Sequence, residues 1–460
     1  MKQSEELKTA EEVFPSVGQP QYTYVEREAG RNERKLLSGL RDKGQICIVT
    51  GPSKTGKTSL YKKVLPSLKK NELVIRCSIG LSSNQFWASA LESLDFSRIS
   101  DASKRYGVNV TSKIGVGGEA GWSWLAKAMA SVGFSVSGTG EYAVRQEFAR
   151  TKLSARHLLP LLKELPVQLV VEDFHYLSEK AKIEVFQQWK SFTDEGVSVV
   201  VISTTHHTVD IARSNPDLTG RMRLVDVGKW AETDLAKIPK IGFPQLKFAI
   251  SDELACRVAT ESVGLPIVTQ QICQNACHEI EDEMHEAEVV QVQLSHIDRA
   301  LNYVAENLYS SHENDYQQLA NGPRRRARKH ATYEKILASF ALDPICYSLE
   351  YSELLERVNM LCDVGEDAIP PASITAALRA MGNFQKRSKI NLLEWQESER
   401  RLYIIEPSFL FYLRQKLDNF VPNGEGFTSV FKMLAELLGD GKLISPRDRA
   451  SRKKTGDNEE

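Results

Sequence analysis

The sequence carries almost no net charge: 59 Lys and Arg stand against 60 Asp and Glu, leaving −1 with histidine neutral. No global field draws such a chain to nucleic acid or to an anionic membrane, so any contact of that kind must come from a local patch. Long apolar runs are missing too. None approaches the roughly 20 residues that a membrane-spanning helix requires, and the polar, acidic Met1 to Ala10 does not read as a signal peptide. Cysteine is sparse and odd in number, seven residues scattered through apolar segments, which fits reduced thiols in a reducing compartment. The expectation is a cytoplasmic chain without a transmembrane segment. At 460 residues and 42% apolar content it has material for two or three packed domains.

What is present centres on Gly51-Pro52-Ser53-Lys54-Thr55-Gly56-Lys57-Thr58, a G-x-x-x-x-G-K-T phosphate-loop pattern. Ile46 to Thr50 ahead of it is a β-branched run with the look of a buried parallel strand. Ser59 to Leu65 behind it reads as a helix stopped by Pro66. Gly51 and Gly56 let successive N–H groups turn toward one anion, and the helix start adds partial positive charge. Lys57 has the reach for β- and γ-phosphates, and the Thr58 hydroxyl can ligate Mg²⁺. The pattern implies a nucleoside triphosphate site.

A second element completes that chemistry. Val167 to Asp173 is an apolar strand ending in two acids, the form in which carboxylates hold Mg²⁺ and polarise an attacking water. Glu172 is expected on the Mg²⁺ side, with Thr58, and Asp173 on the water. A further strand, Val197 to Ser203, leads into Thr204-Thr205-His206-His207, polar residues placed to sense a γ-phosphate; the histidine pair lacks the further ligands of a metal site. Arg221 and Arg223 flank the start of a strand at Leu224 to Val227. Arg221 reads either as an arginine reaching a neighbouring subunit's γ-phosphate or as a surface residue capping the strand. Cys273 and Cys277, one helical turn apart and followed by His278, read as core thiols. Additional elements are expected at Glu33 to Leu40 (helix), Leu73 to Cys77 (strand) and Asn84 to Leu94 (helix).

Residues 107 to 140 differ in texture, with eight glycines and the sets Val108/Val110 and Val132/Phe134/Val136 alternating as half-buried strands do. The stretch reads as a hairpin-like insertion tipped by Trp122 and Trp124 that docks a partner, or as a loop folded back on the body. Residues 1 to 20 read as a flexible lead-in, and 231 to about 315 as helical. Pro323 to His330 is the strongest basic cluster, a solvated helix entry or a phosphate contact. From 331 to 415, helical patterns at Tyr333 to Leu342, Ser352 to Leu361 and Pro371 to Met381 precede two strand-like pieces, Asn391 to Trp395 and Arg401 to Ile405. That is the winged-helix order, with the third helix as reader if DNA is bound. It carries only Arg379, with Lys386, Arg387 and Lys389 just beyond, so a protein-interaction wing is at least as well supported. The tail, 416 to 460, holds one apolar helix, Phe427 to Leu438.

The assembled order resembles the AAA+/STAND group of P-loop ATPases over roughly residues 21 to 415, nearest the branch shared by archaeal-type ATPases, origin-recognition initiators and bacterial STAND proteins. The resemblance implies an α/β parallel-sheet core (21 to 230), a helical lid (231 to 315) and a C-terminal winged helix (331 to 415). It makes Gly51 to Thr58, with Ser59, the Walker A element and Leu169 to Asp173 the Walker B element. Tyr24 to Glu28, with Val25 and Arg27, resembles the motif that touches adenine. Thr205-His206 falls where sensor 1 is expected, Gly220-Arg221 where the arginine finger is expected, and Gly264-Leu265-Pro266 resembles the G-x-P of STAND proteins, whose proline backs the nucleotide. The acid pair departs in order, Glu-Asp rather than Asp-Glu, and His206 stands where asparagine is common. No sensor-2 arginine accompanies Gly264.

ATP and Mg²⁺ are the implied cofactors and a homo-oligomer the implied assembly. Two roles compete: a switch in bacterial defence or signalling that contacts protein through 107 to 140 or the wing, and a DNA-binding regulator of the initiator or transposition type. The unusual order of the acid pair leaves a third, a structural scaffold that binds ATP without turnover.

Overall fold

The computed structural model describes residues 8–92, 155–164, 167–204, 218, 220–283, 290–322, 331–362 and 368–419. They form two compact units. A sheet unit comprises Glu26–Gly51 and Gly56–Gly228, and a helical unit comprises the residues up to Val25, Pro52–Thr55 and those from Lys229 onward. The 107 to 140 insertion, the basic run at 324 to 329, Thr205, His206 and the 427 to 438 helix lie outside the described residues.

The sheet unit is built on five parallel strands: β1 (Ile46–Thr50), β2 (Asn71–Arg76), β3 (Val167–Glu172), β4 (Val199–Ser203) and β5 (Met222–Asp226), in the order β2-β3-β4-β1-β5. The three inner strands, β1, β3 and β4, are nearly continuous apolar, β-branched-rich runs because a parallel sheet is covered on both faces. Side chains alternate between the faces, period two. Ile46, Ile48, Leu169, Val171, Val199 and Val201 face a layer holding Phe86, Trp87, Phe186 and Trp189. Cys47, Val49, Val170, Val200 and Ile202 face a layer holding Leu36, Leu60 and Tyr61. The fold is the α/β parallel-sheet core of P-loop NTPases, with the loop strand β1 and the acid strand β3 separated by β4. Register puts Thr50 level with Ser203, and Val171 level with Val201, so the ends of all three strands come to one edge.

The helical unit has one continuous core running from Ala10 to Leu413. Its main helices are Asp252–Glu261, Pro266–Glu283, Leu294–Tyr303, Ser311–Asn321 and Pro407–Asn419. The lead-in is not flexible throughout. Thr9 caps a short helix, Ala10–Val13, with a full capping box, and Val13 and Phe14 are fully buried, Phe14 against Phe243 at 5.1 Å between ring centroids. Two large side chains in an otherwise polar stretch are enough to dock it.

The C-terminal part carries helices Thr332–Ala338, Tyr351–Met360 and Pro371–Ser388 and a three-stranded antiparallel sheet of β8 (Ser348–Glu350), β9 (Leu393–Gln396) and β10 (Arg401–Ile404), β10 being central. β6 (Phe248–Ala249) and β7 (Val290–Gln291) form a separate two-stranded pair. The third helix runs further than its apolar pattern suggests and takes in Lys386 and Arg387. The Gln385 amide explains the extension: buried, it accepts from Leu392 N (3.1 Å) and Leu393 N (3.0 Å) and donates to Leu393 O (2.8 Å), fixing the hairpin to the helix.

Candidate functional site

On the sheet unit the helix Lys57–Val64 starts directly at the Gly56 turn (φ 91°). Lys57 is folded over the loop, its Nζ donating to the Gly51 carbonyl at 2.9 Å, and Gly51 itself sits at φ 146°. Both glycines occupy backbone conformations that a side chain resists. The Thr58 hydroxyl donates to Glu172 Oε1 at 3.1 Å. Glu172 is buried at 8% exposure and fully engaged, because Tyr61 Oη donates to the same oxygen at 3.1 Å and Arg76 Nε to Oε2 at 3.2 Å. Burial first, and then the Glu172 charge, push the Tyr61 phenol above its ordinary range, so it stays a donor. An oxygen-rich pair, hydroxyl and carboxylate within hydrogen-bond distance of one another, fits a Mg²⁺ ion, which takes oxygen ligands and keeps several waters.

Asp173 follows the end of β3 in the left-handed region (φ 57°). Burial and the neighbouring Glu172 charge raise its carboxyl above the ordinary value, while Lys57 and Arg76 pull the other way. His175 comes next but one. Burial, helped by the Lys57 and Lys182 charges, pushes its imidazole down to about 4, and its Nδ1 is buried without a hydrogen-bond partner.

Arg221 lies elsewhere on this unit. Its carbonyl accepts from Ile46 N at 2.8 Å at the start of β1, whereas the loop leaves the far end of that strand, where Val227 N meets Thr50 O at 2.7 Å. Its guanidinium bonds Thr193 Oγ1 at 2.8 Å and pairs with Asp194. Arg27 Nη1 donates to the Gly228 carbonyl at 3.2 Å. Ser203, which precedes the sensor segment, closes β4 and is fully buried.

On the helical unit, Val25 is part of the core at 5% exposure. Gly264 adopts φ +84°, and a Cβ there would lie 2.4 Å from Lys229 Cγ, so only glycine fits this turn into the helix that Pro266 begins. Trp230 ties the turn to the loop tip: its backbone N–H donates to Gly264 O at 3.2 Å and its indole Nε1 to Thr55 O at 2.9 Å. Thr55 Oγ1 in turn donates to Pro52 O at 2.8 Å.

Sequence reasoning did not find Tyr61, Arg76, His175 or Trp230. Tyr61 sits one turn after Thr58 and Arg76 closes the strand beside β3, so both were reachable once the strand order was known. No group of three or more potential metal-ligating His, Cys, Asp or Glu side chains occurs among the described residues. All seven cysteines are free; Cys273 and Cys277 are buried in the core, and His278 pairs with Glu11 at 2.9 Å.

No family model and no curated protein matches the sequence. Among solved structures, the chain is similar to the Walker-type ATPase of Pyrococcus abyssi (15% identity, TM-score 0.45, 85% of this chain and 98% of that one). It is also similar to Cdc6p from Pyrobaculum aerophilum (12% identity, TM-score 0.41, 88% and 98%) and to the Aeropyrum pernix ORC1 protein in complex with DNA (13% identity, TM-score 0.39, 90% and 97%). At these values the functional reading rests on this chain's own loop, strand ends and bonded side chains.

Proposed function

We propose that the chain binds and slowly hydrolyses ATP and works as a STAND/AAA+-like switch, in which nucleotide state sets a domain or oligomer rearrangement. The observation that carries this reading is the 3.1 Å bond between Thr58 and Glu172, which joins the phosphate loop to the acid strand. A glycine turn that merely linked a strand to a helix has no need of a buried acid against its first helical hydroxyl.

In this reading the loop N–H groups and Lys57 hold the β- and γ-phosphates, and Thr58 and Glu172 hold Mg²⁺. When bound, Mg²⁺ neutralises phosphate charge and draws the phosphate oxygens into position. Asp173 orients the attacking water and accepts its proton as the γ-phosphoryl group leaves ADP. A carboxyl raised by burial is a stronger base than an exposed one, which suits that task. Arg76 and Tyr61 fix Glu172 in place. Arg221, paired within its own chain and a strand's length from the loop, would act only on a neighbouring subunit. Val25, Arg27 and Pro266 are the proposed adenine-side contacts, and the 331–415 segment is read as a winged helix that responds to them.

A DNA-contacting regulator is the second reading, favoured by the run Arg324 to Lys329. Against it, Arg379 on the third helix is paired with Glu397. The test is ATP turnover by the purified chain, with and without duplex DNA. Turnover that is lost in Lys57→Ala, and falls about 100-fold in Asp173→Asn with ATP binding retained, supports the ATPase reading. DNA stimulation with a steep salt dependence selects the second role. Tight ATP binding with no turnover removes the hydrolytic part and the role given to Asp173.

A further inference from the structure

Within the helical unit, the tip of the phosphate loop is held by the residues that open the last described helix. The Lys54 ammonium lies 3.4 Å from Glu406 Oε1 and 3.1 Å from Ser408 Oγ, and 5.1 Å from the centroid of the Tyr309 ring. Ser408 is fully buried and gives its one hydroxyl proton to Glu406 Oε1 at 2.7 Å. His312 Nε2 lies 3.1 Å from the same hydroxyl oxygen. With the hydroxyl proton already spent on Glu406, His312 must donate from Nε2. That leaves Nδ1 bare, and Nδ1 is indeed buried without a partner. Burial lowers the affinity of His312 for a second proton. A neutral histidine and a serine thus steer one carboxylate onto one lysine.

The backbone points the same way. Lys54 sits at φ 64°, a left-handed conformation that glycine adopts freely and lysine does not. A strained backbone that places a long cation at the crest of an anion-binding loop, opposite a carboxylate positioned by two buried groups, is a functional arrangement more readily than a packing accident.

We propose that Glu406 is an internal anion on the phosphate loop, which competes with the phosphates of a bound nucleotide for Lys54 and so lets the helix Pro407–Asn419 report how many phosphates the loop holds. The inference rests on the nucleotide-binding reading above and names its regulation. The carboxylate and a triphosphate are like charges drawn to one ammonium, and they repel each other across it. A γ-phosphate weakens the clasp, and the helix start loosens. A nucleoside without phosphates leaves the clasp untouched.

The test uses the full chain and three forms: wild type, Glu406→Gln, which keeps an acceptor for Ser408 while removing the charge, and Lys54→Met. ATP and adenosine binding are titrated, and amide hydrogen exchange is followed over residues 407–419. Glu406→Gln should bind ATP about 5- to 10-fold tighter, with adenosine unchanged, the size expected for removing one nearby like charge. ATP should speed exchange at 407–419 in wild type, whereas both variants should exchange fast without it. Wild type that binds ATP with no change at 407–419, or ATP and adenosine affinities that shift together in Glu406→Gln, overturns the proposal alone. Wild type that binds no ATP overturns the nucleotide reading and the proposal with it.

Discussion

Thr58 and Glu172 stand 114 residues apart in the chain and 3.1 Å apart in space, hydroxyl to carboxylate. β4 lies between β1, whose loop leads into the Thr58 helix, and β3, which ends at Glu172, so the contact is set by the strand order and by the common edge at which β1 and β3 end. Removing the hydroxyl should therefore affect the metal-dependent part of nucleotide binding and little else. Thr58→Ala is expected to weaken ATP binding about 10-fold or more with Mg²⁺ present and to leave binding in a chelator nearly unchanged. Calorimetric titration in the two buffers checks it.

His175 offers a pH dependence whose sign follows from its position. Its imidazole is held at about 4 in the folded chain against an ordinary 6.5, so the unfolded chain binds more protons between those values. Stability from this group is complete above pH 6.5 and is lost as pH falls toward 4. The ring is only half-buried, so screening reduces the effect to roughly 1 kcal/mol. His175→Gln should lose less stability than wild type between pH 7.5 and pH 5, measured by denaturant midpoints. Equal losses would show that the imidazole protonates freely in the folded chain.

Arg414 anchors the last described helix through charges that are nearly out of water. It meets Glu261 at 2.9 Å and Asp343 at 3.1 Å, and Gln415 adds a bond to Glu261 at 3.1 Å. Burial works to raise the Glu261 carboxyl, but the Arg414 charge and hydrogen bond outweigh it and hold the group below its usual range. Arg414→Leu strands two acids in the interior and should destabilise the helical unit by about 3–5 kcal/mol. Arg414→Leu combined with Glu261→Gln should recover part of that loss, which chemical denaturation of the single and double variants will show.

Gly264 is the tightest point of the G-x-P turn. An added methyl would meet Lys229 Cγ at 2.4 Å and Tyr347 Oη at 3.0 Å, in a backbone at φ +84°. Gly264→Ala should cost about 2–4 kcal/mol from strain and crowding together. Because Trp230 bonds both Gly264 and Thr55, the variant should also weaken ATP binding several-fold at temperatures where it is folded. A shifted indole emission spectrum would report the displacement of Trp230.

The local code of this chain is easy to read where a short stretch sets its own conformation. β-Branched runs made β1, β3 and β4 legible, and paired glycines with Lys57 and Thr58 made the phosphate loop legible, because period and turn chemistry act within a few residues. Strand pattern and terminal acids together singled out Glu172 and Asp173. The boundary of the Pro371–Ser388 helix was not legible, since the Gln385 bonds that extend it reach a hairpin not yet formed at the level of local pattern. Nor was the docking of Val13 and Phe14, which need the Phe243 surface to bury them.

By itself, then, the sequence determined a phosphate loop, an acid strand and the parallel sheet that unites them. Only the tertiary structure decided which groups those elements answer to: Tyr61 and Arg76 on Glu172, Trp230 on Thr55, and Glu406 with Ser408 on Lys54. The physical reason is that a loop's backbone conformation follows from its own glycines, whereas the partner of an ammonium or a carboxylate depends on strand order and on helices that arrive from far along the chain. Lys54 and Ser408, 354 residues apart, are bonded at 3.1 Å because the helical unit packs as one core.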